Sequence, residues 1–174
     1  MEALMKFCPM CGASQASASA TVCYLCDFEE KPLAALTKHK VYELMAPYEY
    51  EKTADGIRIL AAKNVRDLAL RGAVGIPHFV TEIAAGAFVH CKFLARIALP
   101  AGLRSIGDGA FAHCRDLFDV FIPESVSYVG KGAFAECHDL SVICAQAPER
   151  PDTWDDEWLA DCSARVAWSS TDEG

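Results

Sequence analysis

The chain has 174 residues, 52% of them hydrophobic, and a formal net charge of −8. That length allows one or two small domains, and the apolar content is ample for a packed core and too high for a disordered chain. An acidic chain repels phosphate backbones, and no apolar run approaches the ~20 residues of a membrane-spanning helix, so nucleic acid is a disfavoured partner and no helical span is expected.

The charge is concentrated at one end. Residues 1–76 carry nine basic and nine acidic residues, residues 77–146 five and seven, and residues 147–174 two and eight. The start, "MEALMKFCPMCG", lacks a basic stretch followed by an apolar core, so no signal peptide is expected. The expected location is the cytoplasm, with a secreted or cell-surface location as the weaker alternative. The nine cysteines, an odd number, do not read as a disulfide framework.

Four of them open the chain. Cys8 and Cys11 in "CPMCG" and Cys23 and Cys26 in "CYLC" form the pattern C-x2-C-x11-C-x2-C. Each C-x2-C knuckle turns two thiolates toward one point, and two knuckles give the four sulfurs that suit tetrahedral Zn²⁺. Such a site has no open coordination position, so the metal is expected to be structural and to supply much of the folding energy of a unit this small. The segment resembles the short zinc-ribbon modules found at the start of bacterial proteins. Residues 1–30 are assigned to it.

Residues 31–47 follow as a helical linker. In "PLAALTKHKVYELMA" the apolar residues Leu33, Leu36, Val41, Leu44 and Met45 keep a rough helical period, bounded by Pro32 and Pro47. His39, among lysines, is expected to be solvated.

From there the chain repeats itself. "GAFVHCKFL" at Gly86, "GAFAHCRDL" at Gly109 and "GAFAECHDL" at Gly132 start 23 residues apart. A fixed period in this range marks a solenoid, in which each copy is one structural unit stacked on the next. Aligned copies give rungs of like side chains: Ile83, Ile106, Val129; Phe88, Phe111, Phe134; Cys91, Cys114, Cys137; Leu94, Leu117, Leu140; Ile97, Val120, Ile143; and Leu99 with Ile122. "RIAL", "VFI" and "VIC" are the expected parallel strands, and "AAGAFVHC" and its equivalents the expected short helical turns. His90, His113 and His138 flank the rung cysteines. Metal binding there is the minor reading, since a buried free cysteine behaves as a small hydrophobe.

The stretch "VTEIAAGAFVHCKFLARIALPAGLRSIGDGAFAHCRDLFDVFIPESVSYVG" and its period resemble the BspA-type leucine-rich repeat family. "YEYEKTADGIRIL" is similar to the β-hairpin that opens such arrays, and "GIPHFVTEIAAGAF" to their irregular first coil. The resemblance implies a right-handed solenoid used for binding, without catalytic activity. The domain is assigned to residues 48–168: 48–79 for the hairpin and first coil, 80–146 for three repeats and 147–168 for a C-terminal cap rich in tryptophan and acidic residues. A disulfide between Cys144 and Cys162 would need an oxidising compartment, in conflict with four zinc-bound thiolates.

No Gly-rich phosphate loop, H-E-x-x-H or G-x-S-x-G occurs, so no catalytic residues are assigned. The expected function is a non-catalytic protein–protein interaction module with a protein partner and no evident small-molecule substrate. The alternatives are a nucleic-acid-associated accessory protein that docks through the ribbon, or an adhesin-like surface protein. Large aromatics at positions that no rung demands mark the candidate binding face. Phe118 stands where the other copies have Ala95 and Ser141, Phe121 alternates outward on its strand, and Tyr128 stands where the others have Glu82 and Ser105.

Overall fold

The structure, a computed structural model, describes residues 6–7, 14–15, 44–63 and 74–169. Near the start, β1 (Lys6–Phe7) pairs antiparallel with β2 (Ser14–Gln15). The expected zinc ligands Cys8, Cys11, Cys23 and Cys26 lie outside the described residues, as does most of the expected helical linker. Of that linker, Leu44 and Met45 are helical and buried, and Ala46–Pro47 turn the chain into the next strand.

The expected hairpin is present. β3 (Tyr48–Lys52) runs antiparallel to β4 (Ile57–Ala62), with a register shift between Glu49 and Tyr50. The chain then winds. β5 (Val74–Gly75), β7 (Arg96–Ala98), β9 (Asp119–Ile122), β11 (Val142–Ala145) and β12 (Arg165–Trp168) form one five-stranded sheet. β6 (Val80–Ile83), β8 (Ser105–Ile106) and β10 (Tyr128–Val129) join β3 and β4 in a second. From β5 to β11 consecutive strands alternate between the two sheets, so each of these coils lends one strand to each, whereas β11 and β12 both lie in the first. All pairings except β1–β2 and β3–β4 are parallel.

The rungs are real. Val74, Ile97, Val120, Ile143 and Val166 stand side by side across the first sheet, and Ile59, Ile83, Ile106 and Val129 across the second. Between the sheets runs a column of aromatic rings. Phe111 is fully buried and stacks on Phe88 at 5.0 Å and on Phe134 at 5.2 Å between ring centroids. The column ends edge-on at both extremes, against Tyr48 of the hairpin and Trp158 of the cap, each at 6.0 Å. Trp154 packs on Trp158, and both are buried, while Trp168 is half-buried.

The expected short helical turns are corrected. The "GAFxxC" segments are successive tight turns, and Leu44–Met45 is the only helix among the described residues. Hydrogen bonding gives the reason. The amides of Ala87, Val89 and Cys91 donate three residues back, to Ala84, Gly86 and Phe88. The amides between them, those of Gly86, Phe88 and His90, donate to Asp108, Ala110 and Ala112 of the next coil at 2.7–2.9 Å. A helix would satisfy every amide within its own segment; here half of them tie one coil to the next. The backbone can alternate in this way because Gly86 (φ 64°) and His90 (φ 60°) are left-handed, as are Gly109, Gly132, His113 and Glu136 at the equivalent places.

Each coil turns its other corner at a proline. Val80, Leu103 and Val126 donate their amides to Pro77, Pro100 and Pro123, and Trp154 donates to Pro151. The third repeat, which has Gln146 where a proline would stand, thus regains the same turn at Pro151, and the extra residues bulge outward as an exposed segment.

Candidate binding surface

The sheet β5-β7-β9-β11-β12 presents alternate residues outward. One outward row is Arg96, Asp119, Val142 and Arg165; the next is Ala98, Phe121, Cys144 and Ala167. Arg96 and Asp119 are paired at 3.4 Å, with both side chains largely in solvent, so the pair adds little stability. Phe118 sits at the start of this face. Its amide donates to Ala95 at 2.9 Å and its carbonyl accepts from Ser141 at 3.0 Å, which fixes the backbone while leaving the side chain 51% exposed. Phe121 is partly buried. Neither the hairpin nor the cap covers Phe118.

Tyr128 is brought elsewhere. It lies on β10 in the other sheet, exposed, and its hydroxyl donates to Asp108 Oδ1 at 3.2 Å. The negative charge of Asp108 pushes the phenol's pKa up. The three aromatics therefore do not share one face.

Phe93, the most exposed large apolar residue described at 57%, was missed. It lies two residues before Ala95, the residue whose carbonyl holds Phe118, and so flanks the same end of the sheet. The signal was available: the other copies have Asp116 and Asp139 at its position.

The rung cysteines are buried thiols. Cys114 Sγ donates to the Phe88 carbonyl and Cys137 Sγ to the Phe111 carbonyl, each at 3.1 Å. Cys162 continues the rung, with its Sγ 3.6 Å from the Cys137 carbonyl, whereas Cys144 is exposed on the outer face of β11; both are free. Burial pushes the Cys137 thiol up to about 12 and raises Cys162, and Cys114 rises through the neighbouring Cys91 thiol and its burial. Thiolate is the reactive form. Alkylation of the native protein is therefore expected to label Cys144 well before Cys91, Cys114 or Cys137, read by peptide mass spectrometry; labelling at equal rates would contradict the buried rung. The raised pKa of Cys137 stabilises the fold fully below its unfolded value near 9, and this contribution is lost as pH rises toward 12.

The histidines flanking this rung are arranged more closely than solvated side chains would be. The rings of His90 and His113 stack with centroids 4.5 Å apart, and His113 Nδ1 lies 3.1 Å from Glu136 Oε2. Among the described residues no group of three or more His, Cys, Asp or Glu side chains is placed to hold a metal ion together.

The profile described as "BspA type Leucine rich repeat region (6 copies)" matches residues 71–164. The chain belongs to the BspA-type leucine-rich repeat family. Solved leucine-rich repeat structures share the fold. A leucine-rich repeat protein from Bacteroides capillosus is 26% identical with a TM-score of 0.58, over 70% of this chain and 94% of that one. A leucine rich cell surface protein from Faecalibacterium prausnitzii is 22% identical with a TM-score of 0.51, over 69% of this chain and 37% of that one, so the BspA-type array here spans little more than a third of that relative. No curated protein matches the chain. No helix among the described residues is long and apolar enough to cross a membrane.

Proposed function

We propose that the chain is a non-catalytic protein-interaction module whose partner binds the outer face of the β5-β7-β9-β11-β12 sheet around Phe118 and Phe121. The observation that carries this reading is the 51% exposure of Phe118 on a backbone pinned from both neighbouring coils. Contiguous exposed apolar surface marks interaction sites, and rigid aromatic anchors dominate their energetics. The row Arg96, Asp119 and Arg165 beside these rings supplies charge for orientation.

Changing Phe118 and Phe121 together to Ser is the test. Melting within a few degrees of the parent, with loss of the partner recovered by affinity capture from the native organism, supports the face. A large fall in stability would instead make the two rings part of the structural core.

The zinc ribbon belongs to the same proposal as a second, small docking unit. Cys8, Cys11, Cys23 and Cys26 would hold one structural Zn²⁺, and the β1–β2 pair flanks the first knuckle, as a turn-borne ligand pair requires. Elemental analysis of protein purified without added metal is expected to give about one zinc per chain. Replacing Cys11 with Ser should abolish it, and chelation should leave the solenoid folded, because that domain has its own core. Binding of RNA or DNA that weakens steeply with salt would instead favour the nucleic-acid-associated alternative. A cytoplasmic location belongs to the same reading, since four zinc-binding thiolates at Cys8, Cys11, Cys23 and Cys26 would call for a reducing compartment.

A further inference from the structure

A free sheet edge is a row of unpaired backbone groups that another strand can join unless something blunts it. Of the four edges of the two five-stranded sheets, three are blunted. β3 carries Glu49, Glu51 and Lys52 among its five residues, β5 is two residues long, and β10 is two residues long with the Val129 carbonyl already taken by the Asp155 amide at 2.8 Å. β12 has four residues, and its only charge, Arg165, stands at its start. Toward β11, the Arg165 and Ser169 amides donate to the Ser141 and Ala145 carbonyls, each at 3.0 Å. Alternation in a parallel ladder puts Ala167 with them, so the N–H and C=O groups of Val166 and Trp168 point to the open side, where no described strand lies. The side chains are open there as well. Ile143 and Ala145 are buried, whereas Val166 and Trp168, which continue their rows, are only half-buried. The aromatic column ends at Trp158, yet the sheet beside it is left open.

We propose that the β12 edge accepts an extended segment of a partner protein as an added strand, and that this segment has a short apolar core flanked by Lys or Arg. Backbone pairing with Val166 and Trp168 supplies the contact, and alternate side chains laid against these two residues cover the half-open end of the core. Charge selects the flanks. Residues 147–174 carry eight acidic and two basic residues. Asp156 and Glu157 are engaged by Arg150 and Lys131, but Glu149, Asp152 and Asp161 are exposed and, among the described residues, form no ion pair. Asp161 lies four residues before β12. Just after β12, the Ser169 amide also reaches the Ala147 carbonyl at 3.1 Å, two residues from Glu149. Carboxylates thus stand at both ends of the edge. The same charge opposes pairing with the β12 edge of a second copy, which would bring two acidic ends together. The edge is also separate from the face around Phe118, since β11 lies between β12 and β9.

The test titrates the full chain with a peptide of alternating valine and threonine that has two lysines at each end, and follows amide hydrogen exchange by NMR. In the free chain the Val166 and Trp168 amides are expected to exchange fast. At saturation they should slow by at least about 10-fold, while the Arg165 and Ala167 amides, already bonded to β11, change little. The same peptide with glutamate in place of lysine should bind at least about 10-fold more weakly at low salt, and added salt should narrow the gap. Asp161→Asn keeps a residue that tolerates the left-handed φ of 55° there. Combined with Glu149→Gln it should weaken binding of the lysine peptide about 2- to 10-fold. Ala167→Lys, whose side chain lies in the outward row with Cys144 and so leaves the packing intact, should weaken it at least as much. Three results would overturn the proposal: Val166 and Trp168 amides already protected in the free chain, because its own tail or a second copy covers the edge; binding that leaves these two amides unprotected; or equal binding of the lysine and glutamate peptides.

Discussion

Phe111→Ala is expected to lower the unfolding free energy by about 3–5 kcal/mol, the range for emptying a fully buried aromatic site. The ring is wholly inaccessible and sandwiched between Phe88 and Phe134 with interplanar angles of 19° and 10°. Collapse into the vacancy is resisted because the coils on either side are held apart by backbone bonds, such as Phe88 to Ala110 at 2.7 Å and Phe111 to Ala133 at 2.8 Å. Phe88→Ala and Phe134→Ala should cost somewhat less, since each meets an edge-on neighbour on one side that can tilt. Denaturant unfolding of the four proteins measures the series. A loss under about 1 kcal/mol for Phe111→Ala would be incompatible with a continuous ring column.

Gly107→Ala is expected to be comparably damaging by the opposite route. A Cβ built there would lie 2.4 Å from the Ala85 nitrogen, 2.7 Å from the Ala84 carbonyl carbon and 2.9 Å from the Ala85 Cα. All three are backbone atoms of the preceding coil, so no side chain can swing aside. At the same residue, the Gly107 amide donates to Ile83 at 2.8 Å, and separating the coils to admit a methyl group would break that bond. A cost of about 3 kcal/mol, at the upper end for overpacking, is expected. Gly102→Ala is the control. Its Cβ would meet only the His78 carbonyl at 3.5 Å, an ordinary contact, so its effect should stay within about 1 kcal/mol. Equal effects of the two substitutions on the melting transition would contradict the close approach at Gly107.

The rungs were legible because the same residue type returns every 23 residues, and stacking of equivalent positions is a direct geometric consequence of that period. The second sheet was not legible. Its later strands, Ser105–Ile106 and Tyr128–Val129, are two residues long, too short for alternation to register. The turns were read as helical because Phe and Cys three apart, followed by Leu three later, imitate a helical stripe; the left-handed φ at Gly86 and His90 and at their equivalents diverts alternate amides to the next coil. Cys162, weighed above only as a disulfide partner of Cys144, extends the rung of Cys137 because the cap is itself a modified coil.

For the candidate surface, elimination rests on residues that depart from their rung. It picks out Phe118 and Phe121, which lie just before and on β9, and equally Tyr128, which lies on β10 of the other sheet. A one-dimensional alignment states that a position is free of stacking duty; it does not state which side of the coil the position faces. The pairing of His90 with His113 escaped for a related reason, since equivalent positions on neighbouring coils stack whether or not they face the core.

The ring column closes on itself at both extremes. Tyr48 and Trp158 meet their neighbours at 64° and 82°, whereas the internal rings lie nearly parallel. A ring presented edge-on offers no flat platform for another coil, so the length of the array is set by its terminators. Growth by adding coils outside Tyr48 or Trp158 would first have to undo a terminator. Duplication of an internal 23-residue unit, by contrast, inserts a phenylalanine between phenylalanines and leaves both ends intact. Proteins of this design can thus change in length over evolutionary time from the middle, while the two ends stay as they are.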